Sequence, residues 1–276
     1  MNLRAIERQL VENDLNRAME SNQFVLHYQS KTNLKTGKLS GAEALIRWQH
    51  PERGVISPTE FISIAEDCAL IVPIGQWVLR ETCRQIKEWV GSGLRVHPVA
   101  VNVSSLEFRS AGFVEGLRII LKESGVDPCY LDIELTESAL MLHAKSSVAI
   151  LRELKSTGVR LSLDDFGTGF SSLGYLKSFP IDSFKIDRSF VRNITSDVDD
   201  AMLVRTMIAM GKSLKKGVVA EGVETEEQMI FLQQKGCDEA QGYYFKKPVP
   251  AAQFAKLLER GVGPARDLRR QAAPVL

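Results

Sequence analysis

The stretch Tyr130–Gly167, YLDIELTESALMLHAKSSVAILRELKSTGVRLSLDDFG, holds the fold in miniature. It opens on an alternating apolar segment, Tyr130–Leu135, runs through a helical pattern from Ser138 to Thr157, and closes on a second apolar segment, Arg160–Leu163. Strand, helix, strand is the repeat of a parallel sheet, whose neighbouring strands need a long crossover. Strand side chains alternate between faces. In LDIELTE the apolar Leu131, Ile133 and Leu135 therefore turn outward to helices, leaving Asp132, Glu134 and Thr136 pointing inward. The second strand ends in two adjacent acids, Asp164 and Asp165.

The same rhythm extends in both directions. Further strands are expected at Phe24–Tyr28, Lys38–Trp48, Val99–Val103, Ser183–Ile186, Gly217–Ala220 and Ala240–Phe245. Helices are expected around Glu60–Asp67, Gly75–Val90, Gly112–Ser124, Ser171–Leu176, Asp199–Leu214, Glu226–Lys235 and Ala251–Gly261. Eight strands mostly alternating with helices predict an α/β fold, a TIM-like (β/α)8 barrel. The first two strands are joined only by NLKTG, too short for a parallel crossover, so the first strand is expected antiparallel to the rest. Residues 1–22 read as an N-terminal helix, a candidate linker from an upstream domain; 23–261 form the barrel. Residues 262–276 lack an apolar period and are expected to be a flexible tail.

Composition narrows the function classes. The 276 residues carry 35 basic and 34 acidic side chains, a formal net charge of +1, with 44% hydrophobic residues. No global field would draw a nucleic-acid polymer or a membrane surface, so an anionic ligand must be handled locally. Cys68, Cys83, Cys129 and Cys237 lie far apart without C-x-x-C or a histidine cluster, which disfavours disulfides and zinc and fits a reducing cytoplasm. The N-terminus lacks a signal peptide's apolar core, and no apolar run would span a bilayer.

The polar residues at strand ends point to the chemistry. Glu43, Leu45 and Arg47 share one strand face; Asn102 is the lone amide of VAVNV; Lys185 and Asp187 alternate with Phe184 and Ile186. Glu221 ends VVAE, with Glu224 shortly after. In a barrel the C-terminal ends of the strands meet at one mouth, where active sites of such folds are built. One such acid alone reads as a helix cap or surface ion pair, and Asp132 fits that description. Six at corresponding places do not. Converging carboxylates need a cation, and hard oxygen ligands favour Mg²⁺ or Mn²⁺ over zinc or copper. Such a set suits a two-metal phosphoester hydrolase.

These residues sit inside an ordered series of motifs: GAEALIRW with Glu43-Ala44-Leu45, VNVSS (101–105), IELTES (133–138), LDDFGTGFSSL (163–173), FKIDRSFV (184–191), AEGVET (220–225) and QGYYFKKPVP (241–250). From about Leu15 to Gly261 the chain resembles EAL domains, the cyclic di-GMP phosphodiesterases of bacterial signalling. The resemblance implies hydrolysis of cyclic di-GMP to linear pGpG with two Mg²⁺ or Mn²⁺ ions. It implies metal ligation by Glu43, Asn102, Glu134, Asp164 and Asp165, with Asp164 as the bridge. Lys185 would hold the attacking water, and Glu221 would act as general base or as ligand to the second metal. Gln29, Leu45, Arg47, Asp187, Glu224 and Gln241 would line the substrate and metal pocket, and Glu137 would tether the DFGTGFSS loop. A homodimer and a fused sensory or GGDEF domain are expected partners. The chain departs from the family pattern at Phe170 for tyrosine, Gln29-Ser30 for Gln-Pro, and Lys246 for serine, none of them a metal ligand.

Blander uses compete at single positions. Arg47 serves a salt bridge as readily as a phosphate. Gln29 has many ordinary roles at a strand end. Trp48 and His50 are expected to pack the following loop rather than stack a base, and His27, His97 and His143 have no partner in the motifs. The alternative function is a catalytically silent EAL receptor for cyclic di-GMP; a third is a barrel metallohydrolase acting on another phosphoester.

Overall fold

Phe24–Asn33 (β1) and Leu39–His50 (β2) fold back on each other, since five residues cannot carry a crossover. Gln29 lies opposite Glu43 and Tyr28 opposite Ala44 in an antiparallel register. The turn closes on itself through Asn33 N donating to Lys38 O and Gly37 N donating to Asn33 O, with Gly37 at φ 66°. The computed structural model describes residues 2–169 and 173–260.

Gly54–Ile56 (β3) hairpins onto the end of β2. Val99–Val103 (β4), Leu131–Thr136 (β5), Arg160–Phe166 (β6), Ser183–Ile186 (β7), Gly217–Ala220 (β8) and Glu239–Ala240 (β9) follow β2 in parallel order. β9 pairs antiparallel with β1, which also pairs antiparallel with β2, so eight strands close into a barrel with β1 alone reversed. Val249–Pro250 (β10) pairs antiparallel with His27 and Tyr28 of β1. The expected architecture is the observed one.

The apolar core lies between the barrel and its helices. Leu131, Ile133 and Leu135 are each no more than 1% exposed on the outer face of β5, as the alternation requires. The closing helix, Ala251–Arg260, buries Phe254 and Leu258, and the Phe254 ring packs on Tyr28 and Trp89. Helix ends are marked by local chemistry. Thr225 accepts from Gln228 N in a capping box, and Gly236 ends the same helix at φ 73°, a left-handed conformation glycine adopts without penalty.

Several boundaries differ from expectation. β1 runs on through the polar residues Gln29–Asn33, whose side chains polarity alone does not mark as strand. The Ser138–Thr157 helix is two, Glu137–Met141 and Ala144–Ser156, with His143 in a non-helical conformation between them. The segment after Ala240 is a turn rather than strand. It wraps Val223, which donates to Gln241 O and accepts from Tyr244 N, while Phe245 N and Lys246 N both reach Gly242 O. The helix expected from Ser171 runs Leu173–Ser178 among the described residues. Phe170 and the expected tail at 262–276 lie outside the described residues. The N-terminal helix spans Asn2–Glu20, and Leu15 and Ala18 are fully buried.

Candidate active site

Four strands each deliver one carboxylate to a single ammonium group. Lys185 Nζ on β7 lies 2.6 Å from Glu221 just beyond β8, 2.8 Å from Glu134 on β5, 3.3 Å from Asp164 on β6 and 3.6 Å from Glu43 on β2. Lys185 is 1% exposed, held in place by apolar neighbours on either side in the strand. Burial alone would lower its pKa, but the surrounding carboxylates hold it well above the ordinary lysine value.

The double aspartate needs a local break to work. Adjacent residues of a regular strand face opposite ways. Asp165 adopts φ 53°, uncommon for a residue with a side chain, and the β6–β7 register shifts between Leu163 and Phe166. Asp164 and Asp165 therefore line one cavity, and Asp165 N donates to Asp164 Oδ1 at 2.9 Å. Carboxylate oxygens of Asp164, Asp165 and Glu221 lie within 4.8 Å of one another, an all-oxygen set suited to a hard divalent cation.

The cavity, of about 440 Å³, is lined by Gln29, Glu43, Leu45, Asn102, Asp164, Asp165, Lys185, Asp187, Glu221, Glu224 and Gln241 among the expected residues. A hydrogen-bond net fixes its far wall. Asn102 Nδ2 donates to Glu43 Oε1 at 2.6 Å, and Gln241 Nε2 donates to both Glu43 and Gln29. Gln29 Nε2 in turn reaches Lys246 O at 3.0 Å. Asp187 also caps the Arg188–Arg192 helix by accepting from Ser189 N. Glu137 is 1% exposed and accepts from Gly167 N at 3.0 Å.

Two expected residues stand apart from the cavity wall. Glu134 is fully buried beneath Lys185. Arg47 is half-buried and donates to Ile46 O at 2.8 Å. Trp48 packs on Phe24 and Phe61 and its ring edge meets His50, in keeping with a packing role. Asp132 accepts from Ser162 Oγ, deep in the barrel.

Three residues escaped the sequence reading. Arg188 and Tyr243 line the cavity, each beside a residue the motifs do mark, Asp187 and Gln241. Lys31 reaches Glu134 Oε1 at 2.6 Å from the polar end of β1. Its signal was available, since Gln29 and Lys31 share a strand face.

Burial pushes the Glu221 carboxyl up to about 8; Lys185 opposes the shift, and Asp164 and Glu43 add to it. Asp164 is raised to about 6, again chiefly by burial against the pull of Lys185. Burial works on Glu134 too, but Lys185 and Lys31 outweigh it and hold that carboxyl down at about 2. The cavity thus combines a fixed ammonium with a carboxyl raised well above the ordinary carboxylate value, over a buried carboxylate held ionised beneath. Such a group of acids can bind divalent cations and move a proton at a phosphoester.

Comparison with known proteins agrees with this geometry. The family described as "EAL domain" matches residues 12–248. The bifunctional diguanylate cyclase/cyclic di-GMP phosphodiesterase MucR of Pseudomonas aeruginosa is 46% identical over 254 residues, covering 92% of this chain and 37% of that protein. The cyclic di-GMP phosphodiesterase PdeR of Escherichia coli is 40% identical over 260 residues, 94% of this chain and 39% of that protein. The chain thus spans less than two fifths of the length of these relatives. A solved structure of the MucR phosphodiesterase in complex with c-di-GMP superposes with a TM-score of 0.86 at 45% identity, covering 89% of this chain and 99% of that one. The EAL domain of Mycobacterium smegmatis DcpA superposes at 0.75 with 35% identity, covering 87% and 99%. With its barrel, its motifs in order and the match over most of its length, the chain belongs to the EAL domain family.

Proposed function

We propose that this domain hydrolyses one phosphodiester bond of cyclic di-GMP to give linear pGpG. The observation that carries the reading is the convergence of Glu43, Glu134, Asp164 and Glu221 on Lys185 within 3.6 Å at the floor of an open cavity. Glu43, Asn102, Glu134, Asp164 and Asp165 would hold two Mg²⁺ or Mn²⁺ ions, which when bound would supply Lewis-acid polarisation of the phosphoryl oxygen. Lys185 orients the attacking water. Glu221, whose carboxyl burial raises above the ordinary glutamate value, takes its proton. Gln241, through its bonds to Glu43 and Gln29, keeps the wall rigid, and Leu45, Asp187 and Glu224 shape the substrate's berth. Arg47 binds a phosphate once released from Ile46 O.

The test is incubation of the purified protein with cyclic di-GMP and Mg²⁺ or Mn²⁺, followed by chromatography. The expected result is pGpG, abolished by a chelator and restored by excess metal. Binding without product would replace the enzyme by a receptor; neither binding nor product would point to another phosphoester.

The same reading extends to the domain's wider setting. A homodimer fits the exposed apolar side chains Val198, Met202 and Leu203 on one helix. An upstream sensory or GGDEF domain joined through the first helix fits the small share of its relatives' length that the chain spans. A cytoplasmic location fits four free cysteines and the finding that, among the described residues, no helix is long and apolar enough to cross a membrane.

A further inference from the structure

Beneath the cavity the barrel interior holds a column of alternating charge. Lys185 rests on Glu134, Glu134 on Lys31, and Lys31 lies 4.0 Å from Asp132. Asp132 is in turn fixed by Ser162 Oγ, which also meets Ser183 Oγ. Glu134 is 0% exposed, so bulk solvent reaches neither of its oxygens. Oε1 is taken by Lys31 at 2.6 Å and Oε2 by Lys185 at 2.8 Å.

Lys31 reaches this position because β1 runs against the other strands and places its far end at the barrel floor. There Lys31 lines a separate cavity of about 180 Å³ together with Asp132, Arg160 and Ser183. Its cross-strand partner is Gly41, and a Cβ at that position would stand 3.4 Å from Lys31 Cδ and 3.2 Å from Pro98 O. Glycine leaves a lane along which the aliphatic stem runs inward.

We propose that Lys31 is a positioning residue for the active site: it clamps one oxygen of Glu134 from below, leaving the other for the cavity side. This rests on the phosphodiesterase reading of the cavity. Without Lys31, Lys185 becomes the sole partner of a buried carboxylate and is drawn down toward it. The distances from Lys185 to Glu221, Asp164 and Glu43 then change together, and with them the donor arrangement offered to a cation.

The experiment compares the wild type with Lys31→Met and with Lys31→Met/Asp132→Asn. The double variant removes both charges below Glu134 and so spares the floor an unpaired acid. Mn²⁺ calorimetry on the nucleotide-free protein and steady-state turnover are both measured, with thermal melting as the check on folding. The expected result, by analogy with residues that orient metal ligands, is a loss of roughly 10–100-fold in Mn²⁺ affinity and in kcat in both variants, with KM for cyclic di-GMP within about twofold. A role confined to packing predicts that the double variant recovers melting temperature and activity together. That recovery would overturn the proposal, as would a folded Lys31→Met protein with unchanged Mn²⁺ uptake. A wild type that takes up Mn²⁺ but cleaves nothing defeats the phosphodiesterase reading while the calorimetry still decides the role of Lys31. A wild type that takes up no Mn²⁺ defeats both.

Discussion

Replacing Glu107 by glutamine should stabilise the barrel above neutral pH and leave it almost unchanged in acid. Glu107 lies in the short helix Ser105–Arg109, which follows β4 and its Asn102. It is 4% exposed, and its Oε1 lies 1.4 Å from where a Cβ on Gly75 would stand, so the carboxyl fills space that only glycine leaves open. Oε2 accepts from Ser104 N at 2.9 Å and Ser104 Oγ at 2.6 Å. These bonds favour the charged form, yet burial outweighs them and raises the carboxyl from 4.5 to about 7. The folded protein therefore keeps a proton that the unfolded chain releases. Its contribution to stability is full below about pH 4.5 and is lost as pH rises to about 7. Linkage at 1.36 kcal/mol per pH unit gives a cost of about 2 kcal/mol at pH 6, about 3 at pH 7, and little more above pH 8. Glutamine keeps an oxygen for Ser104 and has no charge to bury. Urea unfolding of both proteins at pH 5, 6, 7 and 8, followed by tryptophan fluorescence, reads the difference. A gap between the two that stays constant across this range would refute the titration of Glu107 as its cause.

Two further substitutions probe the cavity. Glu137→Ala removes the acceptor of Gly167 N and should lower turnover about tenfold while circular dichroism shows an intact barrel; unchanged turnover would end the tether reading. Gly242→Ala would put a Cβ 2.1 Å from Val223 O and 2.3 Å from Val223 N, both backbone atoms. It should cost at least about 2 kcal/mol in denaturant unfolding and displace Gln241 from Glu43, and a neutral result would show that the turn yields.

What the sequence made legible follows from which forces leave a periodic trace. β4, β7 and β8 have the bounds expected of them because turn-forming, polar or charged residues flank each: Pro98 and Ser104, Asp182 and Asp187, Lys216 and Glu221. Asp164 and Glu221 stand out because each closes a mostly apolar run, and Glu43 and Glu134 because each lies between apolar neighbours within a strand. Lys31 was passed over because Gln29–Asn33 looks like a loop until the barrel closes and buries it. The left-handed backbone of Asp165 has no signature in composition, since the neighbouring β7 register and the packing of the loop impose it. The turn after Ala240 was mistaken for strand because GYYF has strand-like residues. Its backbone bonds instead go to Val223, a partner far away in the chain.

The reversed first strand is more than an irregularity of topology. The cavity wall brings together Glu43, Asp164, Asp165 and Glu221, with Glu134 buried beneath it, while Lys185 and Lys31 are the ammonium groups bonded into this cluster. Seven parallel strands place their site residues at one mouth, and one lysine among them leaves the acids in large excess. β1, entering from the opposite end, contributes Gln29 near the mouth and Lys31 below it on the same face. Lys185 above and Lys31 below together let Glu134 stay ionised although buried, while burial raises the carboxyls nearer the solvent, Asp164 and Glu221. Those carboxyls are the ones that can exchange protons for cations without opening the core. A barrel with every strand parallel would have to hold Glu134 with Lys185 alone.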